Sequence, residues 1–298
     1  MNETLPYFGE ILAFLSAISW AIGVVLFKKS GESLHPLALN LYKNTLALIL
    51  FLITMVFFKA TLFRPAPFSE YLLFIASGVI GIGIGDSLFF KSLNKIGAGL
   101  SAIVDCLYSP FVISLSIIWL GESLNRNQIV GVVLIVSAVL MTMNVKPGTH
   151  ISRHELIWGI IWGIIAILAM SVAIVMIKPA LEKAPLLWAI VLRLCGGMIC
   201  IFGMLCFHPM RKKILKSLTA TKGLRFTIPG ALSGTYASIL FWMGGMKFAH
   251  ASIAAALNQT SNVFVFLFAA LFLKEHLTWR HILALILGIA GALLTAIG

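Results

Sequence analysis

The chain of 298 residues is 60% hydrophobic and only 11% charged, and its mean hydropathy is +1.03. Soluble domains are about half apolar and about a quarter charged, so this composition excludes a soluble globular protein. The formal net charge is +12, but every Lys and Arg except Lys43 and Arg193 lies at the end of an apolar segment or between two segments. Membrane proteins carry cations in these places, so we expect a lipid bilayer and no nucleic acid as partner.

Apolar segments of membrane-spanning length follow one another along the chain. A bilayer core of about 30 Å requires about 20 apolar residues per helix. The windows that meet this requirement predict ten transmembrane helices, at 11–27, 37–58, 71–92, 98–120, 128–144, 156–177, 186–207, 226–246, 251–273 and 280–297. The sequence therefore predicts an all-α, polytopic membrane protein, which we expect in a bacterial inner membrane.

Two fixed offsets align the first half of the chain with the second. An offset of 150 pairs Lys43 with Arg193, and an offset of 153 pairs Glu122 with Glu275. Each half holds five predicted spans, and because five is odd, the second copy enters the membrane in the opposite sense. We therefore expect two inverted five-helix repeats. The predicted repeats are residues 1–146 and 147–298, with a hinge at Val145–His154.

One stretch of each repeat resembles a known family. Ala98–Leu124 has Pro110 near its middle and ends in Leu-Gly-Glu-Ser-Leu, and its echo Ala251–Leu277 has Val263 instead of the proline and ends in Leu-Lys-Glu-His-Leu. This pair resembles the fourth helix and following turn of EamA-type carriers in the drug/metabolite transporter superfamily, and the resemblance covers essentially the whole chain. It implies a secondary carrier that exports or exchanges small metabolites such as amino acids through a central cavity. The single proline predicts a kink in the first copy only.

Three ionisable residues of the first repeat fall at one depth in the membrane. Lys43, Asp86 and Asp105 each lie about six or seven residues from a span end on the same side, or roughly 10 Å below that face. Charged side chains in lipid usually face a cavity or pair with one another. One ammonium cannot neutralise two carboxylates, so one acid remains to bind a proton or a substrate amine. The alternative is an ion pair that only holds the helices together.

Polar side chains form a stripe on one predicted helix of each repeat. In the first repeat the stripe consists of Ser101, Asp105, Tyr108 and Ser109, and in the second it includes Asn258 and Gln259. The spacing i, i+4, i+7, i+8 places such residues on one helix face. Because Asp105 and Asn258 are matched by the offset of 153, we expect both stripes to line a cavity, although polar stripes also join helices in lipid.

Arg193 and two aromatic residues complete the predicted substrate site. Arg193 lies about seven residues inside its span and has the geometry to hold a carboxylate with two hydrogen bonds. The alternative is a side chain that extends to the membrane surface. Trp20 and Tyr236 are weaker candidates, since aromatic residues often serve as interface anchors.

Catalysis is a remote alternative. Gly83-Ile84-Gly85-Asp86, together with Asp105, resembles the aspartate pair of presenilin-like intramembrane proteases, but the order of the motifs is reversed and no Pro-Ala-Leu element follows. We therefore predict no enzyme, with no cofactor and no metal site, because the four cysteines lack metal-ligand spacing. The expected ligands are a small-molecule substrate and protons. A nucleotide-sugar, sugar-phosphate or lipid-linked substrate is the alternative, suggested by the basic stretch His208–Arg225.

Two features of the sequence predict opposite membrane orientations. Lys and Arg are more frequent in the odd-numbered loops, which predicts that these loops are cytoplasmic and that both termini lie outside. The family resemblance implies the opposite orientation, with both termini inside.

Overall fold

The structure is a computed structural model, and it describes residues 7–120, 126–143, 152–218, 221–248, 257–275 and 278–297. All regular secondary structure in these ranges is helical, as the composition predicts. The first half contains α1 (Phe8–Ser30), α2 (Pro36–Phe57), α3 (Phe68–Gly78), a π-helical segment (Val79–Gly85), α4 (Asp86–Asp105), α5 (Tyr108–Leu120) and α6 (Arg126–Met143). The second half contains α7 (Arg153–Val175), α8 (Lys178–Leu181), α9 (Leu186–Phe207), α10 (Arg211–Ser217), α11 (Thr221–Ala231), a π-helical segment (Leu232–Ala237), α12 (Ser238–Phe248), α13 (Ser261–Phe272) and α14 (Trp279–Ile297).

Several helices have the length and composition to cross a membrane. Within the described ranges, five such stretches occur: Phe8–Ser30, Pro36–Phe57, the run Phe68–Asp105 with a turn at Gly97, Arg153–Val175 and Leu186–Phe207. Shorter apolar helices cover Ile129–Ala138, Leu257–Phe272 and Trp279–Gly291. Large apolar side chains such as Ile53 and Leu271 point outward, and in water they would cost free energy. The chain is therefore a multi-pass membrane protein.

The two π-helical segments occupy matched positions. Val79 and Leu232, their first residues, are separated by the offset of 153 that relates the repeats. Each segment brings a glycine against a small residue of a neighbouring helix, because a Cβ on Gly81 would lie 2.8 Å from Cβ of Ala173, and one on Gly234 would lie 2.6 Å from Cα of Gly23. Ala173 and Gly23 are themselves matched by the offset of 150. The duplication in the sequence thus extends to helix contacts.

Helix breaks also recur at matched positions. In the first half, Cys106 and Leu107 form a turn before α5 begins at Tyr108, and in the second half a turn at Thr260 precedes α13. The prediction of a proline kink in the first copy only is therefore wrong. Pro110 lies in the first turn of α5, where its missing N–H costs little. Since the second copy breaks without a proline, packing and not Pro110 determines the break.

A sharp turn separates the third and fourth predicted spans. Gly97 has φ 82° and ψ 174° inside α4, a conformation that favours glycine. The helical run from Phe68 ends before this residue, and a second segment leads from it to Asp105. Several predictions lie wholly or largely outside the described residues: the boundary between residues 146 and 147, most of the hinge Val145–His154, the turn motif with Glu122, and the start of the span at 251–273.

Candidate functional site

A cavity of about 180 Å³ lies between the two halves of the chain. Its lining includes eight of the nine residues predicted for the substrate site: Trp20, Lys43, Asp86, Asp105, Tyr108, Arg193, Asn258 and Gln259. Sequence reasoning based on the cost of charge in lipid therefore selected side chains that the fold brings together.

Lys43 and Asp86 form an ion pair at the cavity wall. Lys43 Nζ lies 2.6 Å from Asp86 Oδ2, and their side chains are 3% and 16% exposed. α2 supplies the lysine, and the carboxylate follows the first π-helical segment directly. Lys43 Nζ also donates to Asn44 Oδ1 at 3.2 Å and lies 5.4 Å from the ring centroid of Phe90. The pair is thus held by neighbours on both helices and neutralises one acid of the predicted layer.

Amide side chains attach the lysine helix to the π-helical segment. Asn40 Nδ2 donates to the carbonyl oxygen of Ile82 and to Ser87 Oγ, each at 2.9 Å. Asn44 Nδ2 donates to Asn40 Oδ1 at 2.7 Å. A π-helical segment disturbs the regular hydrogen bonding of a helix, and the asparagine satisfies one of its carbonyl groups. This network fixes the place from which Asp86 reaches Lys43.

Asp105 differs from Asp86 because it forms no ion pair with any cation of the described residues. It ends α4 immediately before the break at Cys106 and lines the cavity. In the described part of the chain, the ion pairs are Lys29 with Glu32, Lys43 with Asp86, and Arg64 with Glu70, so Asp105 takes part in none of them. Its carboxylate is therefore available to a proton or to a cationic group of a ligand.

Two hydrogen bonds near the helix breaks are related by the internal duplication. Gln259 Nε2 donates to Ser109 Oγ at 2.8 Å, and Asn262 Nδ2 lies 3.6 Å from Cys106 Sγ. The offset of 153 converts Cys106 into Gln259 and Ser109 into Asn262, so it exchanges one contact for the other. Asn262 Nδ2 also donates to Gln259 Oε1 at 2.8 Å. The polar stripes of both repeats therefore meet, and part of their polarity serves helix contact, the alternative noted for them.

Arg193 is a half-buried cation for which the described residues provide no anionic partner. Its Nη1 lies 3.7 Å from the sulfur of Met243, its Nε has no hydrogen-bond partner, and no carboxylate lies within ion-pair distance among the described residues. Gly81 provides room beside the guanidinium, since a Cβ there would lie 3.6 Å from Nη2. A buried donor such as Nε costs free energy when it has no hydrogen-bond partner, so the guanidinium is suited to an anionic ligand.

The structure places Tyr236 apart from the other predicted residues. Its hydroxyl lies 2.6 Å from Thr54 Oγ1, and its ring centroid is 4.6 Å from that of Phe51. It is not among the described side chains that line the cavity. Tyr236 lies in the second π-helical segment, whose wider turn changes the direction in which side chains point. A helical projection drawn from the sequence assumes a regular α-helix and therefore does not include this change.

Sequence reasoning missed part of the apolar wall. Met170, Ile174, Ile190, Ile239 and Met243 line the cavity together with Trp20 and Trp242. Met170 was detectable in principle, because the offset of 150 pairs it with Trp20. Ordinary apolar residues of a membrane protein otherwise carry no signal that separates a cavity wall from a lipid-facing surface.

The cavity thus combines one closed ion pair, one unpaired cation, one unpaired acid and an apolar wall. In the described residues, no group of three His, Cys, Asp or Glu side chains is placed to hold a metal ion. Asp86 contacts Lys43, whereas aspartyl protease chemistry requires two carboxylates that share a proton. A polytopic helical protein with a polar cavity between two related halves has the general design of a membrane transporter.

Comparison with known proteins gives the family. The family model described as "EamA-like transporter family" matches residues 7–144 and again 157–297. The chain therefore belongs to the EamA-like transporter family. An uncharacterized transporter of Archaeoglobus fulgidus is 22% identical over 295 residues, which cover 95% of this chain and 96% of the relative. The uncharacterized transporter YvbV of Bacillus subtilis is 33% identical over 135 residues, 45% of this chain and 44% of its own.

A solved crystal structure has the same fold. It matches with a TM-score of 0.71 and 14% sequence identity, covering 96% of this chain and 95% of the other. At this identity the similarity concerns the fold alone. The family match and the names of the relatives indicate a transporter rather than an enzyme.

Proposed function

We propose that this protein is a secondary transporter that carries small zwitterionic metabolites, chiefly amino acids, through the cavity between its halves. In this proposal ten transmembrane helices form two inverted five-helix repeats, residues 1–146 and 147–298, that rock about the cavity. The matched π-helical segments, helix breaks and hydrogen bonds of the two halves support this arrangement. The substrate then reaches the same side chains from either face in turn.

The observation that carries the substrate proposal is the pair of unpaired charges. Arg193 has a guanidinium without an anion, and Asp105 has a carboxylate without a cation, in a cavity that both line. An α-amino acid offers a carboxylate to the first and an ammonium group to the second. The Lys43 ammonium, paired with Asp86, can donate a further hydrogen bond to the substrate, while Tyr108, Asn258 and Gln259 provide polar contacts. The apolar wall with Trp20 accommodates the side chain of the substrate.

Asp105 also provides a means of coupling to protons. A carboxylate without a cation binds either a proton or the substrate ammonium group, so the two compete for one site. Exchange of one for the other would let protons that enter the cell down their gradient across an inner membrane drive the substrate out. We therefore infer export as the physiological direction.

Uptake into proteoliposomes tests this function. The purified protein is reconstituted with an internal pH dye and exposed to a panel of labelled amino acids, with wild type and Asp105→Asn compared. Saturable uptake of one class, lost or uncoupled from pH in the variant, supports the proposal. If no amino acid is taken up, sugar-phosphates, nucleotide-sugars and lipid-linked compounds are tested next and the amino-acid assignment is wrong. Transport unchanged by the variant would make Asp105 a structural residue only.

A further inference from the structure

The turn around Gly97 is held by side chains from both halves of the protein. Lys28 Nζ, on α1, donates to the carbonyl oxygens of Leu93 and Asn94, each at 3.0 Å. These carbonyls end the helical run that precedes Gly97, where the helix dipole favours a cation. Glu275, from the second half, accepts two backbone hydrogen bonds: its Oε1 from Ala98 N at 2.8 Å and its Oε2 from Gly99 N at 2.9 Å.

The matched lysine of the second half makes no such contact. The offset of 150 converts Lys28 into Lys178, and the offset of 153 converts Leu93 and Asn94 into Met246 and Lys247. In the described structure, Lys178 Nζ has no hydrogen bond or ion pair, whereas Lys28 has two hydrogen bonds.

The helices that carry the two lysines also differ. α1 is continuous through Lys28 to Ser30, but α7 ends at Val175 and a separate short helix begins at Lys178. Matched segments of the two repeats therefore have different conformations in this structure. Inverted repeats that differ in this way are expected to exchange conformations when the cavity opens to the other face.

The two lysines lie at opposite membrane faces. Leu93 lies at the end of a helical run that starts at Phe68, and about 26 residues of helix span roughly 39 Å. The other end of that run lies near the segment after Lys178, because Trp188 Nε1 donates to the carbonyl oxygen of Leu62 at 2.9 Å. We call the end at Leu93 the Lys28 face and the end at Leu62 the Lys178 face.

We propose that Lys28 and Lys178 are alternating latches, each of which closes the cavity toward its own face. This inference rests on the proposed alternating access and adds the residues that control it. In the state observed here, Lys28 caps the helix end at Leu93 and Asn94 and closes the Lys28 face. In the opposite state Lys28 releases these carbonyls, and Lys178 caps the carbonyls of Met246 and Lys247.

The chemistry of a lysine side chain and a hydrogen bond at the Lys178 face both agree with this exchange. A lysine ammonium is a flexible point charge with three donors, so it can leave two backbone carbonyls and return without a fixed geometry. At the Lys178 face, Lys247 donates to the carbonyl oxygen of Ala184 at 3.2 Å. That bond joins the connection that follows Lys178 to α12, the helix whose end Lys178 would cap. The two parts therefore already lie side by side.

Hydrogen exchange of the full-length protein in nanodiscs tests the latches without a substrate. Lys28→Ala is compared with Lys29→Ala, which removes an equal charge from the exposed pair with Glu32. Lys178→Ala is compared with Lys183→Ala in the same connection. We follow backbone amides of peptides at both faces by mass spectrometry.

The two latch variants should act in opposite directions. Lys28→Ala should speed exchange of peptides around residues 89–99 by on the order of tenfold, the ratio expected for loss of a charge-assisted hydrogen bond, and slow exchange at the Lys178 face. Lys178→Ala should slow exchange at the Lys28 face. The double variant should return toward wild type at the Lys178 face, while exchange of residues 89–99 stays fast, and a folding defect would not produce this pattern.

Two results would overturn the latches. A Lys28→Ala effect confined to residues 89–99, without a change at the Lys178 face, would make Lys28 an ordinary helix cap. A Lys178→Ala variant indistinguishable from Lys183→Ala would remove the second latch. Neither result depends on substrate, so failure here is separate from failure of the uptake assay that tests the function.

Discussion

Lys43 and Arg193 occupy matched positions in the two repeats and line the same cavity, yet among the described residues only Lys43 has a carboxylate partner. The pair of positions was visible in the sequence, but the difference between them was not. It arises because Asp86 follows the first π-helical segment, whereas its matched position in the second half is Ile239. One cation is therefore neutralised by the protein, and the other is left for a ligand.

Lys43 and Asp86 should stabilise the protein only when both are present. Lys43→Met or Asp86→Asn leaves one buried charge alone, which costs about 3 to 5 kcal/mol when a buried pair is broken. We expect each single variant to lower the melting temperature in detergent, and the double variant to recover most of the loss. Melting of all three proteins by intrinsic fluorescence measures this.

The opposite pattern would contradict the account. If the double variant is no more stable than the less stable single variant, the two groups stabilise the protein through other neighbours, such as Asn44 and Phe90 for the lysine.

The close approach of Gly23 to Gly234 should tolerate no side chain. Gly23→Ala places a Cβ against the backbone of Gly234, which cannot move without moving its helix. Overpacking of this kind costs about 1 to 3 kcal/mol. Gly203→Ala is the matched control, because a Cβ there meets nothing within 4 Å. Thermal stability should fall for the first variant only, and equal melting temperatures would show that the helices separate easily.

Stability should depend on pH through His35, which lies before α2. Its Nδ1 accepts a hydrogen bond from Leu37 N at 3.2 Å, and its ring lies 5.5 Å from that of His208. Burial, then the positive charge of His208 and Lys91, lowers the pKa of His35 below its usual 6.5. The folded protein thus resists protonation more than the unfolded chain does, so this contribution to stability is complete above pH 6.5 and is lost as pH falls toward the folded pKa.

The variant His35→Asn isolates this effect. Asparagine is a good helix N-cap and does not titrate, so the cap should persist while the pH dependence decreases. Melting temperatures between pH 8 and pH 5 should fall less for His35→Asn than for wild type. His154→Asn, an exposed histidine at the start of α7, serves as control. Identical pH profiles for wild type and His35→Asn would assign the dependence to other groups.

The general architecture was predictable because bilayer thickness sets a minimum length for apolar helices. Charges such as Asp86 and Arg193 were found for a related reason, since their cost in lipid restricts them to cavities and ion pairs. The π-helical segments were not predicted, because close contacts such as Gly23 with Gly234 involve helices far apart in the sequence. As a result, Tyr236 was predicted at the cavity although it lies outside the cavity lining. Met170 was missed because an apolar side chain costs no free energy in lipid, so nothing in the sequence restricts it to a cavity.

The most direct test of the cavity as substrate site is the effect of Arg193→Ala on transport and on ligand-induced stabilisation. The control is Arg64→Ala, which removes a guanidinium that pairs with Glu70 away from the cavity. With the amino acid that wild type takes up best, we predict that Arg193→Ala loses both uptake and the rise in melting temperature on ligand addition, while Arg64→Ala keeps both. Uptake and stabilisation by Arg193→Ala at wild-type levels would contradict the central claim that the unpaired guanidinium binds the substrate carboxylate.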